Sequence, residues 1–265
     1  MKRLASLLVL VAATCGFAAT ASGADGAGKA TYYLSVGDSL AEGYQPIGGD
    51  TQGYANQLFK ATRSRYEQLQ LVKLGCGGET TQSMVDGAPW CGFPAGSQLA
   101  QAEQFLRDHS GAIAFVTLDV GANDWLGDPE HWGQTIQTYL PVILARLRTA
   151  AGPGVPIIGM TYYPVGLPNV WFETHDISAL LDYSAQVDEL NHLLQDIYSA
   201  AGDPVARVDD AFRAHDTTLV KGTPLNVLQE CRWTWVCAPP PLGPDIHANS
   251  EGYGAIAGAF LEQLH

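Results

Sequence analysis

Apolar positions along this chain follow two alternating patterns, which predict strands and helices in turn. Five short apolar runs closed by glycine or polar residues predict buried strands over residues 32–36, 69–74, 113–120, 155–160 and 205–208. Between them, apolar residues recur at helical spacing, which predicts helices over 54–66, 97–109, 129–150, 178–201 and 249–264. Strands alternating with helices indicate a parallel sheet covered on both faces. We therefore expect an α/β protein, a flavodoxin-like three-layer α/β/α sandwich with a central, mainly parallel five-stranded sheet.

The ends of several predicted elements carry residues typical of helix caps. Ser97, Ser178 and Asn249 each stand where an apolar helical stripe begins, and their side chains can accept from the first free N–H groups. Residues 161–177 are predicted to form a long loop with aromatic residues and prolines, and residues 209–244 show little regular pattern. Because a loop as long as the second is usually functional or pinned in a compact domain, we expect it to lie near a site or to be held by a crosslink.

The N-terminal segment has the pattern of a secretory signal. Two basic residues precede an apolar run over residues 4–13 that is too short to span a bilayer, and small residues follow. We predict a signal over residues 1–24 and one domain over residues 25–265. Cys15 falls within the signal, and the three residues before it do not form a lipoprotein-type cleavage site.

The predicted mature chain is strongly acidic. Without the two basic residues of the signal it has 12 basic against 27 acidic residues, a formal charge of −15. Nucleic-acid binders carry basic patches and anionic lipid attracts basic segments, so this charge argues against both partners. No apolar run outside the signal is long enough to cross a membrane. These features are typical of a secreted, extracellular protein.

Four cysteines remain in the predicted mature chain: Cys76, Cys91, Cys231 and Cys237. An exported protein meets an oxidising compartment, so an even number of cysteines predicts disulfides. Three pairings are possible, and the cost of loop closure favours the two local ones, Cys76 with Cys91 and Cys231 with Cys237. Zinc is the alternative, but the sequence has no closely paired C-x2-C. We expect disulfides and no metal site.

Three of the predicted strands end in unusual sequences: Gly37-Asp38-Ser39, Gly77-Gly78 and Gly121-Ala122-Asn123. His247 follows in the last loop. The carboxyl ends of parallel strands share one edge of the sheet, so these segments can meet in one cleft. Acyl transfer needs a nucleophile, a base and donors for the oxyanion. Ser39 is the candidate nucleophile and His247 the base, while the amides of Ser39 and Gly78 and the Asn123 side chain form the candidate oxyanion hole.

The order and spacing of these segments resemble the SGNH hydrolases, also called the GDSL lipase/esterase family. Gly37-Asp38-Ser39-Leu40, Gly78, Gly121-Ala122-Asn123-Asp124 and His247 match the four family blocks and span nearly the whole mature chain. The resemblance implies hydrolysis of esters through an acyl-serine, without a metal. We expect a monomer that acts on small-molecule or lipid esters and needs no cofactor. It argues against the α/β-hydrolase elbow G-x-S-x-G, whose last position is Ala41 here.

The residue that orients His247 departs from the family spacing. The family usually has D-x-x-H, but Pro244 stands three residues before His247, and Asp245 stands two before it. Either Asp245 reaches the imidazole or a main-chain carbonyl near Pro244 does, and we favour Asp245 as the third catalytic residue. His175 with Asp176 forms another histidine–acid pair, which we assign to the surface because no nucleophile accompanies it.

Aromatic residues crowd the two long irregular segments: Tyr162, Tyr163, Trp171 and Phe172 in the first, Trp233 and Trp235 in the second. They either line a substrate pocket or form small cores beneath the loops. The main hypothesis is a serine esterase or lipase. Within the enzyme class, a carbohydrate esterase that removes acetyl groups is the alternative, and arylesterase or thioesterase activity stays open. A different class is an inactive module that binds glycan or lipid on this fold.

Overall fold

The computed structural model describes residues 31–264. The predicted signal sequence, with Cys15, lies outside the described residues. The central sheet has five strands: β1 (Thr31–Gly37), β2 (Leu69–Lys73), β3 (Ile113–Asp119), β4 (Ile157–Met160) and β5 (Val205–Ala206). Their order is β2-β1-β3-β4-β5 and every pairing is parallel. This confirms the predicted flavodoxin-like sheet, including its strand count.

Eleven helices accompany the sheet in the described chain: α1 (Ser39–Glu42), α2 (Tyr54–Thr62), α3 (Thr81–Asp86), α4 (Gln98–Asp108), α5 (Ala122–Gly127), α6 (Trp132–Ala151), α7 (Leu167–Thr174), α8 (Ile177–Ala201), α9 (Val208–Ala211), α10 (Leu225–Trp233) and α11 (Ser250–Leu261). Two antiparallel pairs lie outside the sheet, β6 (Leu219–Val220) with β7 (Thr223–Pro224), and β8 (Thr234–Trp235) with β9 (Asp245–Ala248). None of the described helices is long and apolar enough to cross a membrane.

The helices form a layer on each face of the sheet. Helices α2 and α11 pack together on one face, where the Tyr54 and Phe260 rings stack at 4.9 Å. Helices α4, α6 and α8 pack side by side, and Phe105 of α4 meets Tyr32 of β1 edge to face. Because helices cover both faces of the sheet, β1 and β3 are largely buried over their length, and most of their residues are apolar.

Three helices begin directly after a side chain that accepts from their first N–H groups. Ser97 accepts from the third residue of its helix and Asn249 accepts from the first turn of α11, as predicted. The Ser178 prediction was wrong. Helix α8 begins at Ile177, and the Asp176 side chain accepts from the Ser178 N–H at 2.8 Å. A carboxylate there also interacts favourably with the positive end of the helix dipole.

The two segments predicted to be irregular contain regular structure. Residues 161–177 include α7, and residues 209–244 include α10, the β6–β7 pair and β8, whose partner β9 follows at residue 245. The aromatic and proline-rich composition hid α7, although Pro168 sits in its first turn, where a missing N–H costs little. Strands of two residues are too short to show any periodicity.

Both local disulfides are present, Cys76–Cys91 and Cys231–Cys237. The first ties the glycine-rich segment after β2 to the loop before α4. The second ties α10 to the segment that leads toward β9. Each crosslink therefore restrains a loop that adjoins the carboxyl edge of the sheet.

Candidate active site

Ser39 lies where β1 ends and α1 begins. Gly37 has φ +144°, and a Cβ there would stand 2.2 Å from the main-chain oxygen of Asp119, so only glycine fits. The Asp38 side chain caps the new helix by accepting from the Leu40 N–H at 2.8 Å. This turn leaves Ser39 half-buried on the rim of the sheet.

His247 reaches Ser39 from β9. Its Nε2 lies 2.8 Å from Ser39 Oγ, and its Nδ1 lies 2.8 Å from Asp245 Oδ1. Asp245 Oδ1 also accepts from the His247 main-chain N–H at 2.9 Å. Alternate residues of a strand point to the same side, so a D-x-H spacing places both side chains together on β9. The Asp245 carboxylate, rather than a carbonyl near Pro244, occupies the Nδ1 position.

The strand that carries His247 is held from both sides. Tyr163 OH donates to the Ile246 carbonyl at 2.8 Å, and Gln45 Nε2 donates to the Ala248 carbonyl at 2.8 Å. The Tyr44 ring lies 4.4 Å from the imidazole, centroid to centroid. An isolated pair of short strands such as β8 and β9 is not rigid, so these contacts fix the position of β9.

Ser39 and two other residues that line the cavity, Gly78 and Asn123, each have an N–H group without an acceptor among the described residues. The main-chain N–H groups of Ser39 and Gly78 have no hydrogen-bond acceptor within residues 31–264. Asn123 Nδ2 donates to the Glu79 carbonyl at 3.0 Å, which leaves its second N–H available. Asn123 sits at the start of α5, which follows directly from β3. All three residues line the same cavity as Ser39 and His247.

That cavity measures about 220 Å³. Its apolar wall comes mainly from Tyr44, Leu126, Tyr162, Tyr163, Val165 and Ile246. Drug-sized ligands need cavities of roughly 300–1,000 Å³, so this one suits a small group. Tyr162 and Tyr163 thus line the pocket, whereas Trp171 is buried in a separate small core and Phe172 is exposed. Trp233 packs on the main core, and Trp235 donates to Gln45 at 3.1 Å.

Two buried polar residues, Gln98 and Glu79, connect the turn at Ser39 with the glycine-rich segment that contains Gly78. Neither of them was selected from the sequence. Gln98 accepts from the Gly37 N–H at 2.8 Å and donates to both the Gly37 carbonyl (2.9 Å) and Glu79 Oε2 (3.2 Å). Glu79 also accepts from Ser83 Oγ at 2.5 Å, and burial raises the pKa of its carboxyl. A glutamine inside a helix gives no sequence signal for this role.

The remaining candidates lie elsewhere. His175 and Asp176 are exposed at the junction of α7 and α8. Asp124 accepts from the Thr81 N–H at 2.9 Å and from Thr81 Oγ1 at 2.6 Å, so it braces the turn after β3. Burial raises the pKa of Asp124. None of these three residues lines the cavity that contains Ser39 and His247.

Two groups of possible metal-ligating side chains occur in the described chain. Cys76, Glu79 and Cys91 lie within ligand distance, but the two sulfurs are joined in a disulfide and are not thiolate ligands. The second group, Asp209, Asp210 and His215, lies away from the cavity, and Asp209 already pairs with Arg207 at 2.8 Å. Neither group includes a residue that lines the cavity.

The sequence pattern of the GDSL-like Lipase/Acylhydrolase family matches residues 35–255. The chain belongs to this family. Membership confirms the resemblance drawn from the four sequence blocks and makes the protein a carboxylic ester hydrolase. No curated protein matches the sequence.

Solved structures share the fold of this GDSL-like protein. An acetylxylan esterase from Geobacillus stearothermophilus is 18% identical, with 89% of this chain and 95% of that chain covered and a TM-score of 0.54. A carbohydrate acetylesterase from Sinorhizobium meliloti is 15% identical, with 88% and 98% covered and a TM-score of 0.52. An alpha/beta hydrolase enzyme from the metagenome of Lake Arreo, Spain, is 20% identical, with 88% and 94% covered and a TM-score of 0.53.

Proposed function

We propose that this protein is a secreted serine esterase that removes short acyl groups through an acyl-serine intermediate. The observation that carries the proposal is the hydrogen-bonded series Asp245–His247–Ser39, with 2.8 Å at each step. A nucleophile, its base and the group that orients the base are the three parts that such chemistry requires.

In the proposed reaction, Ser39 Oγ attacks the ester carbonyl while His247 Nε2 takes its proton. The tetrahedral oxyanion is stabilised by the N–H groups of Ser39 and Gly78 and by Asn123. The C–O bond to the alcohol then breaks, and His247 returns the proton to the departing oxygen. Water repeats the sequence on the acyl-serine, releasing the acid and restoring the serine. Asp245 holds the imidazole in the tautomer with Nδ1–H and stabilises the imidazolium that forms.

The size of the cavity supports a short acyl group such as acetyl. A cavity of about 220 Å³ is small for an extended fatty chain. Two of the solved structures with this fold are named as esterases that act on acetylated carbohydrate. Acetylated carbohydrate is therefore favoured as the substrate class over long-chain lipid esters.

The test compares hydrolysis of p-nitrophenyl acetate, butyrate and palmitate, together with acetylated xylan, by the wild type, Ser39→Ala and Ser178→Ala. Ser178 is an exposed serine on α8 and serves as the matched control. We expect activity on the acetyl substrates, lost in Ser39→Ala only, and covalent fluorophosphonate labelling that follows the same pattern. Hydrolysis by Ser39→Ala at the wild-type rate would contradict the mechanism, and no hydrolysis or labelling by either protein would favour the binding module. A preference for palmitate would contradict the substrate class.

Export belongs to the same proposal and has its own test. The basic, apolar and small-residue pattern of residues 1–24 supports a cleaved signal, and two disulfides suit an oxidising compartment. We expect the mature N-terminus of secreted protein to fall between residues 21 and 25. Intact Met1 on a protein retained inside the cell would contradict export.

A further inference from the structure

Two buried carboxyl groups lie beneath Ser39 and take no part in the proposed reaction. Asp38 precedes the serine, and Asp119 ends the neighbouring strand β3. Both are almost completely inaccessible to water. They cap successive N–H groups of α1: Leu40 N–H donates to Asp38 Oδ1 at 2.8 Å, and Ala41 N–H donates to Asp119 Oδ2 at 3.1 Å.

The other oxygen of each carboxyl group accepts from a buried tyrosine. Tyr162 OH donates to Asp38 Oδ2 at 2.8 Å, and Tyr54 OH donates to Asp119 Oδ1. No ion pair within residues 31–264 includes either carboxyl group. Two like charges that accept from neighbouring N–H groups in a buried site, with no cation beside them, cannot both be present. One of the two groups therefore keeps its proton.

We propose that Asp119 is a positioning residue that stays protonated, so that the turn bearing Ser39 rests on one carboxylic acid and one carboxylate. The turn then carries a single negative charge. Asp119 supports it from β3 at two points, since its side chain accepts from Ala41 N–H and its main-chain oxygen accepts from Asp38 N–H at 3.0 Å.

The surroundings decide which aspartate keeps the proton. Burial raises the pKa of both groups, and the negative charge of Asp38 raises that of Asp119 further. Asp38 is favoured as the anion because it lines the cavity that holds Ser39, whereas Asp119 is fully buried beneath it. The other titratable groups around the pair come from every neighbouring element: Tyr33 on β1, Tyr54 on α2, Glu79 before α3, Asp124 on α5, Tyr162 after β4, Tyr198 on α8 and Tyr253 on α11. These are phenols and acids, none of which offers a positive charge to ionise Asp119.

The proton on Asp119 is tested through stability, independently of whether Ser39 is the nucleophile. An unfolded aspartate ionises above a pH of about 3.9, so the wild type must release this proton when it unfolds. The amide of the Asp119→Asn variant cannot titrate but has the shape of the protonated acid. The measured quantity is the unfolding equilibrium constant of the wild type divided by that of Asp119→Asn. As pH increases, this ratio should rise about tenfold per pH unit, or about a hundredfold from pH 5 to pH 7. Asp182→Asn, a change at an exposed position of α8, is the control and should leave its ratio nearly constant.

The positioning role rests on the proposed function and is tested by kinetics. Asp119→Ala should lower kcat roughly a hundredfold with KM within threefold, and Asp119→Asn should restore most of that loss. A constant ratio of unfolding constants between pH 5 and pH 7 would overturn the protonated Asp119. Full kcat in Asp119→Ala would overturn the positioning role, provided that Ser39→Ala is inactive. If Asp119→Ala does not fold, the kcat of Asp119→Asn decides: a hundredfold loss there overturns the positioning argument.

Discussion

Replacing Asp245 tests the part of the site that departs from the family spacing, an acid two residues before His247 instead of three. Asp245→Ala removes the acceptor of the Nδ1–H bond and of the His247 main-chain N–H bond, which share Oδ1 at 2.8 and 2.9 Å. Asp245→Asn retains a carbonyl oxygen of the same shape and removes only the charge. Comparing the two variants separates orientation of the imidazole from stabilisation of the imidazolium.

The size of the effect follows from the distance and the exposure of the pair. At 2.8 Å, unit charges interact by about 6 kcal/mol at an effective dielectric of about 20 and by about 1.5 kcal/mol in water. The Asp245 and His247 side chains are 22% and 20% exposed, so the energy of their interaction should lie between these two values. A loss of about 3–4 kcal/mol in transition-state stabilisation corresponds to a fall in kcat of roughly 10²–10³-fold for Asp245→Ala. In serine proteases, replacing the fully buried acid of the triad costs about 10⁴-fold, so the effect of the partly exposed Asp245 should be smaller.

The assay is steady-state hydrolysis of p-nitrophenyl acetate at neutral pH, with Ser39→Ala and His247→Ala as inactive references. Asp245→Asn should lie between Asp245→Ala and wild type, since it keeps an acceptor for the main-chain N–H. Asp245→Ala within tenfold of the wild-type kcat would refute the reasoning and leave a serine–histidine dyad. A rise in KM alone would also refute it, because the argument concerns charge that forms only during the reaction.

Three further changes have defined outcomes. Asn123→Ala should lower kcat roughly 10²–10³-fold, about 2.7–4 kcal/mol, through loss of an oxyanion donor, and unchanged kcat would contradict that role. Replacing both Cys76 and Cys91 by serine opens a 15-residue loop and should lower the urea-unfolding free energy by about 3 kcal/mol; equal stability would show that the bridge does not constrain the unfolded chain. Glu230 is buried, accepts from Gly166 N–H at 2.7 Å and has a pKa well above its usual value because of that burial. The folded wild type thus retains a proton that it loses on unfolding, so its stability should fall as pH rises from 5 to 8, whereas Glu230→Gln should gain stability relative to it. A pH-independent difference in urea midpoints would contradict the retained proton.

The elements predicted best are those whose sequence signal depends on burial alone. The strands β1 and β3 are covered on both faces, so they appear as mainly apolar runs without polar alternation. The long amphipathic helices α4, α6 and α8 appear as stripes. Prediction failed where a local side chain or a distant partner decides the structure. The start of α8 depends on Asp176, and the short strands β8 and β9 form only by pairing with each other across an irregular loop.

The sequence by itself determined the order of strands and helices, the parallel sheet, and the four segments that such a sheet brings to one edge. Local periodicity and the shared edge of parallel strands are enough for that. Tertiary structure alone decided that Asp245 reaches Nδ1 despite its spacing, that the cavity is small, and that Asp38, Asp119 and Gln98 lie beneath the serine. The cavity and the contacts of Gln98 and Asp119 depend on distances between residues far apart in the chain, and the Asp245 contact depends on β9 pairing with β8. Such distances are set by how the layers pack, and no local pattern records them.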